Sequence, residues 1–169
     1  MFDLRAKKGC DMSAPPSHRD LLDARGQERE IVRVAPADVP AAIEKLVAAR
    51  GSMARMQADR FLAFAREQGI LLDKVWARLG PDGTFHSSVV AIANPGRTAV
   101  IFASSPRSDI GVESLGELIN AACAELGGFD LDLAQVLLEP HEHDLARAYR
   151  LGGFERLALL SYLERPLRP

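Results

Sequence analysis

Apolar residues follow two different spacings along this chain, and each spacing predicts a type of secondary structure. A helical period, with apolar residues three to four positions apart, occupies residues 40–50, 54–68 and 112–126. An alternating or continuous apolar pattern, which is typical of strands, occupies residues 30–35, 74–79, 84–94, 98–103 and 131–138. Turn residues at 81–83 and 94–96 join three of these strands, which predicts an antiparallel meander.

The C-terminal part of the chain combines a short helix, a glycine corner and a final apolar run. The apolar side of the predicted helix consists of Leu145, Ala148 and Tyr149. Gly152 and Gly153 follow the helix, as glycine commonly does at a helix C-terminus. Phe154 then leads into residues 157–163, whose apolar pattern predicts a buried closing strand.

The predicted order of elements is β α α β β β α β α β, which defines a fold class and a domain boundary. Such an order favours an α+β protein with a mixed, mostly antiparallel sheet of six to seven strands and about four helices on its faces. Residues 1–29 are polar and rich in turn-forming residues, so we expect a flexible N-terminal tail. Residues 30–169 then form a single domain.

Composition excludes several classes of protein. Of the 169 residues, 47% are hydrophobic and 26% are charged, and the formal net charge is −2. This balance argues against a nucleic-acid partner, because phosphate binding usually requires a basic surface. No apolar run reaches the length of a membrane span, and the N-terminus lacks a secretory pattern. We therefore expect a cytoplasmic protein without a membrane contact.

Residues 148–154, AYRLGGF, resemble the (L/A)-Y-x-x-x-G-F segment of the GNAT superfamily of acyl-CoA-dependent N-acetyltransferases. Tyr149, Gly153 and Phe154 occupy the matching positions, and Glu142 stands where the family often has an asparagine. The order of elements over residues 31–165 is also similar to that family. The resemblance implies a GNAT-like fold, acetyl-CoA as cosubstrate, and acetyl transfer to a primary amine of a small molecule or peptide; from the residues themselves we expect no metal. Many relatives pair as homodimers, which leaves a homodimer open here by analogy.

The segment that would bind the coenzyme departs from the family's Q/R-x-x-G-x-G/A signature. Helix N-termini bind anions through unpaired N–H groups, and glycines allow the phosphates to approach the backbone closely. Here Arg107 matches the first position, whereas Ile110 and Val112 replace the two small residues. In the family, pantetheine pairs with the end of the central strand. The resemblance therefore implies coenzyme contacts at Phe102, Ala103, Ser104, Arg107, Ile110, Gly111 and Val112.

Acyl transfer to an amine requires an acid for the leaving thiolate and a base for the amine. The resemblance implies Tyr149 as the acid, although a tyrosine on this helix face could equally be a core residue. No base stands out: Glu139 and His141 lie where the fifth strand ends, and His86 lies on the middle strand of the meander. Each of the three could equally be an ordinary surface residue. The His141–His143 spacing is poor for a metal, because positions i and i+2 of a helix point apart.

The replaced glycines and the lack of an obvious base suggest a second function. A GNAT-like protein without catalysis could serve as a binding or regulatory module. Acyl transfer to a panel of amines would rule out this alternative, and binding of acetyl-CoA is required for the enzyme.

Overall fold

A computed structural model describes residues 30–47, 53–80, 82–106 and 111–159 of the chain. The predicted tail at residues 1–29 lies outside the described residues, as do positions 160–163 of the predicted closing strand.

Five strands form one mixed sheet in the described part of the chain. They are β1 (Ile31–Arg33), β2 (Val75–Leu79), β3 (Phe85–Asn94), β4 (Thr98–Ala103) and β5 (Leu133–Gln135). The strands follow chain order across the sheet, with antiparallel pairing from β1 to β4 and parallel pairing of β4 with β5. The predicted meander of β2, β3 and β4 is therefore confirmed. Parallel pairing of β4 and β5 is possible because a long helix connects them.

Within the described ranges, four α-helices cover the two faces of the sheet: α1 (Val39–Val47), α2 (Ala54–Glu67), α3 (Val112–Leu126) and α4 (His143–Leu151). Side chains alternate across each strand, so the two faces have separate cores. Val90 points to the core under α1 and α2, whereas Val89 and Ala91 point to the core under α3 and α4. The predicted helix face of Leu145, Ala148 and Tyr149 is buried in this second core.

Two glycines bring α3 and α4 into close contact. A Cβ atom added at Gly116 on α3 would lie 2.6 Å from Leu151 Cβ and 3.1 Å from the Ala148 carbonyl oxygen. A Cβ atom added at Gly152, just after α4, would lie 2.5 Å from Ile119 Cγ2. Neither position has room for a side chain, so the two glycines set the spacing at which α4 packs on α3.

The chain's only tryptophan, Trp76 on β2, belongs to the core under α3. Its side chain is fully buried, and its Nε1–H donates a hydrogen bond of 2.8 Å to Glu125 on α3. A buried indole N–H normally has a partner, because leaving it unpaired costs free energy. Trp76 is therefore a core residue.

The prediction of six to seven strands is not confirmed, since the described residues form five. The part of the predicted closing strand that is described, residues 157–159, lies outside the sheet. Leu157 and Leu159 are 95% and 70% exposed, so the expected burial is wrong for these residues. An apolar strand pattern indicates that a segment can be buried, but the surface that buries it has to be supplied elsewhere. The strand at 131–138 is shorter than predicted, at Leu133–Gln135.

No helix of the described residues is long and apolar enough to cross a membrane.

Gly116→Ala should destabilise the fold, because the new methyl group would collide with α4. We expect a loss of about 1–3 kcal/mol in the free energy of unfolding, measured by urea denaturation. Gly127→Ala is the matched control, since Gly127 has helical φ and ψ and nothing within 4 Å of an added Cβ. That variant should be equally stable or more stable, by up to about 1 kcal/mol. Equal stabilities of the two variants would contradict the close α3–α4 contact.

Candidate active site

The β4–β5 ladder ends early, and we call the unpaired stretch of β4 beyond it the β4–β5 opening. Only three residue pairs join these strands, and the last pair is Val100 with Gln135. Beyond it, Ile101–Ala103 of β4 pairs only with β3 among the described residues. The Ser104 N–H donates to the Ser88 carbonyl on β3, at 3.0 Å. Because backbone polar groups alternate in direction along a strand, those of Ile101 and Ala103 face the opening.

The side chain of Tyr149 reaches this β4–β5 opening from α4. Its hydroxyl donates a hydrogen bond of 3.1 Å to the Ile101 carbonyl oxygen, and the side chain is 2% exposed. The Phe154 ring packs edge-to-face on the Tyr149 ring, with centroids 5.1 Å apart. The phenol is thus held on two sides, by the backbone of β4 and by a second aromatic ring.

Burial raises the pKa of the Tyr149 phenol above its ordinary value of 10.0. Cys123 on α3, when it is ionised, raises the pKa of Tyr149 further, and the charge of Glu142 adds a smaller increase. A hydrogen bond from the Ala103 N–H lowers the pKa and so opposes this shift. Tyr149 therefore stays protonated at neutral pH. A protonated phenol can donate a proton or a hydrogen bond, and it cannot act as a base.

The Gly-Gly-Phe corner after α4 places Phe154 against Tyr149. Gly153 has a φ of 90°, which residues with a Cβ rarely adopt, so a glycine is required there. The turn allows the Phe154 N–H to donate to the Tyr149 carbonyl oxygen at 3.0 Å. The tyrosine, the glycine and the phenylalanine of the sequence motif therefore act as one local unit.

The N-terminus of α3 begins after the end of β4. Gly111 is the N-cap residue, in an extended conformation, and no side chain caps the helix. The first amides of α3, beginning with that of half-buried Val112, therefore have no partner within the helix. Glu113 in the first turn forms an exposed ion pair of 2.8 Å with Arg147 on α4. The predicted coenzyme residues Arg107 and Ile110 lie outside the described residues.

The three predicted coenzyme contacts at the end of β4 are Phe102, Ala103 and Ser104, and their side chains lie in different environments. Phe102 is 42% exposed on the sheet face opposite to Tyr149, whereas half-buried Ala103 packs on the core under α3. The Ser104 hydroxyl accepts a hydrogen bond of 2.9 Å from the Ser88 N–H and donates to the Ser88 carbonyl at 3.2 Å. Because the N–H and the hydroxyl of Ser104 both form hydrogen bonds with Ser88 on β3, the Ser104 side chain fixes the end of β4 instead of facing the opening.

The two candidate bases, Glu139 and His141, are both exposed. Neither side chain forms a hydrogen bond or ion pair with another described residue. The Glu139 N–H donates to the Glu142 carboxylate at 2.8 Å, which closes the turn before α4. The charge of the Glu142 carboxylate raises the pKa of Tyr149. The sequence did not single out Glu142 as a catalytic candidate. Its signal in the sequence is its position, seven residues before the tyrosine, where the family often has asparagine.

His86 occupies an irregular position on β3. The pairing register moves from Arg78 with Ser87 to Leu79 with Phe85, so His86 is an extra residue in a β-bulge. Its Nδ1 atom is buried without a hydrogen-bond partner in the described structure. In the same described ranges, no three His, Cys, Asp or Glu side chains lie close enough together to hold a metal ion.

A cavity of about 730 Å³ lies away from the β4–β5 opening, on the α1 side of the sheet. It runs between β1, α1 and the β2–β3 turn, and the side chains of Asp38, Glu44 and Lys45 line it. None of the residues that form the opening contributes to this cavity. We therefore place the candidate active site by the chemistry at the opening and not by cavity size.

Comparison with known proteins identifies the fold. No protein-family model matches the chain, and no curated protein sequence matches it significantly. Among solved structures, the chain is similar to a glucosamine-6-phosphate N-acetyltransferase from Arabidopsis thaliana, with a TM-score of 0.51 and 10% identity over 80% of this chain and 97% of that one. It is also similar to a proposed acetyltransferase from Agrobacterium tumefaciens strain C58, with a TM-score of 0.52 and 15% identity over 80% and 99% of the two chains.

Both neighbours are of the GNAT type. The chain therefore has the GNAT acetyltransferase fold, as its C-terminal motif and its order of elements predicted.

Tyr149 should make the stability of the protein depend on alkaline pH. Since its folded-state pKa is raised, its contribution is complete below pH 10.0 and is lost as the pH rises above that value. From this group alone, the free energy of unfolding should fall by up to about 1.4 kcal/mol per pH unit above pH 10. The stability difference between wild type and Tyr149→Phe should therefore shrink between about pH 9 and about pH 11 in urea denaturation. Leu71→Ala, at an exposed site, is the control and should keep a constant difference. A pH-independent difference for Tyr149→Phe would contradict the raised pKa.

Proposed function

We propose that this protein is an acetyl-CoA-dependent N-acetyltransferase that transfers an acetyl group to a primary amine. The observation that carries the proposal is the protonated phenol of Tyr149 at the β4–β5 opening of a GNAT fold. One of the two similar solved structures is an N-acetyltransferase, which supports nitrogen as the acceptor atom.

The described residues fit acetyl-CoA at two places. The Ile101 carbonyl and the Ala103 N–H are an acceptor and a donor that suit the amide groups of a pantetheine arm, which would take them over from the Tyr149 hydroxyl. The uncapped amides at the start of α3, from Val112 onward, suit a pyrophosphate. The bound thioester supplies the acetyl group.

Tyr149 is proposed as the group that protonates the leaving thiolate. It carries its proton at neutral pH, and the hydroxyl is already at the opening. To act as the acid it has to exchange its hydrogen bond with Ile101 for one with the sulfur. The raised pKa makes the phenol a weaker acid until that exchange occurs. Glu139 and His141 stay predictions for the base, since both are exposed near the start of α4.

The proposal predicts that the purified protein binds acetyl-CoA. Isothermal titration should give a measurable heat of binding at millimolar ligand or below, and the absence of binding would refute the enzyme assignment. Coenzyme A without the acetyl group is a useful second ligand, because most of the proposed contacts are to the pantetheine arm and the pyrophosphate.

Tyr149→Phe should lower kcat by about 10- to 100-fold, the size expected for loss of a general acid. The KM for acetyl-CoA should change little, because the backbone contacts and the α3 amides stay in place. Initial rates with a panel of primary amines provide the measurement, and circular dichroism verifies that the variant is folded. An unchanged kcat would remove Tyr149 from the mechanism.

A second candidate function is a GNAT-fold binding or regulatory protein without catalysis. Two observations favour it: Ile110 and Val112 replace the small residues of the coenzyme signature, and the Tyr149 hydroxyl is engaged with Ile101. Acetyl-CoA binding without acetyl transfer to any amine of the panel would favour this function over the enzyme.

A further inference from the structure

A buried arginine lies under the first turn of α3. Arg78 on β2 is 8% exposed, and it points to the α3 side of the sheet, as Trp76 does, because side chains two positions apart on a strand share a face. Its guanidinium donates hydrogen bonds to the Ser114 carbonyl oxygen at 3.1 Å and to the Glu117 carboxylate at 2.8 Å. Because Ser114 is the third residue of α3, the cation lies within about one helical turn of the helix N-terminus.

This position is electrostatically unfavourable for a cation in the protein alone. A helix N-terminus carries a partial positive charge, so it attracts anions and repels a nearby guanidinium. Burial adds a desolvation penalty, and the ion pair with Glu117 offsets it only in part, since the Glu117 side chain is 67% exposed. Apolar residues in place of a buried ion pair are often as stable or more stable. The stability of the fold therefore does not explain an arginine under α3.

Two hydroxyl groups next to Arg78 have unused hydrogen-bonding capacity. Ser87, the cross-strand partner of Arg78, is fully buried, and its Oγ atom has no hydrogen-bond partner in the described structure. Ser87 faces α3, because it lies two positions before Val89 of the core under α3. The buried Oγ atom of Ser114 also has no partner there. Unpaired buried hydroxyls cost free energy, so this region favours an additional polar group such as a ligand oxygen or a water molecule.

The helix end above these groups is able to receive an anion. Gly111 is the N-cap residue of α3, and no side chain among the described residues caps the helix. Ile110 and Val112 stand where the coenzyme signature has small residues, which restricts the approach of phosphates to the backbone. Glu113 in the first turn is paired with Arg147, so its charge is partly neutralised. A positive charge beneath the first turn therefore strengthens a site whose backbone is less accessible than that of the signature.

We propose that Arg78 is a positioning residue for a pyrophosphate group at the start of α3. It holds the first turn of α3 on β2 through the Ser114 carbonyl, and its charge raises the affinity of the α3 amides for the anion. Glu117 opposes this effect, because its carboxylate neutralises part of the Arg78 charge. The inference rests on the proposed function, in which the pyrophosphate is that of acetyl-CoA.

Isothermal titration with acetyl-CoA, inorganic pyrophosphate and S-acetylpantetheine, which has no phosphate group, tests the proposal. Arg78→Met should weaken the binding of acetyl-CoA and of pyrophosphate by about 5- to 10-fold, through loss of one charge near a helix N-terminus. It should leave the affinity for S-acetylpantetheine unchanged. Arg78→Lys keeps the charge and should keep most of the affinity. Arg97→Met is the matched control, because it removes an arginine from the β3–β4 turn, at the opposite end of β4, and it should change none of the three affinities.

Glu117→Gln separates an electrostatic role of Arg78 from a purely structural one. The glutamine keeps an oxygen that accepts the Arg78 hydrogen bond and removes the competing negative charge. Pyrophosphate binding should therefore become about 2- to 5-fold stronger. An ion pair that only held α3 on the sheet would instead make both Glu117→Gln and Arg78→Met bind more weakly. Weaker binding by Glu117→Gln would overturn the proposal, as would equal pyrophosphate affinities of wild type and Arg78→Met. Circular dichroism verifies that each variant is folded.

The set of ligands also distinguishes a failure of this inference from a failure of the proposed function. Pyrophosphate binding that depends on Arg78, in a protein that does not bind acetyl-CoA, would refute the acetyltransferase and support the role of Arg78. Acetyl-CoA binding that is the same in wild type and Arg78→Met would overturn the role of Arg78 and leave the acetyltransferase in place. A wild type that binds neither ligand would overturn both.

Discussion

The early end of the parallel β4–β5 ladder is the constraint on which the candidate site depends. Backbone polar groups that are buried away from water need partners, and the ladder provides them only as far as Val100. Past that residue, the carbonyl of Ile101 takes its hydrogen bond from the hydroxyl of Tyr149. One side chain therefore substitutes for the missing strand, and the same requirement brings a reactive phenol to the opening. A ligand with amide groups could take over this role of the phenol.

The position of the phenol depends on contacts more distant than its hydrogen bond. α4 lies close to α3 because Gly116 and Gly152 carry no side chains at the contact. A wider separation of these helices would draw Tyr149 away from β4, since the tyrosine belongs to α4 and its acceptor belongs to the sheet. On the side of the acceptor, the hydrogen bonds between Ser88 and Ser104 fix the end of β4 on β3. The donor and the acceptor are thus positioned by separate parts of the core.

Periodicity alone predicted most of the fold, because the pattern of each element reflects the face that it buries. The bounds of α3 and β4 agree with the prediction, and the meander was evident from its two turns. The prediction of a buried strand was wrong for residues 157–159, because an apolar pattern does not specify which surface covers it. Tyr149 could be proposed from its motif, but the hydrogen bond to Ile101 joins residues 48 positions apart and has no local signature. The bulge at His86 was also invisible, since an extra residue in a strand leaves the composition unchanged.

The hydrogen bond between Trp76 and Glu125 has a practical consequence. Trp76 is the chain's only tryptophan, it is fully buried, and it joins β2 to the C-terminal half of α3. Indole fluorescence from this protein therefore arises at one defined contact, where a helix rests on the sheet. Loosening of α3 would admit water to the ring and shift its emission to longer wavelengths, so the protein contains its own optical reporter of this helix–sheet interface.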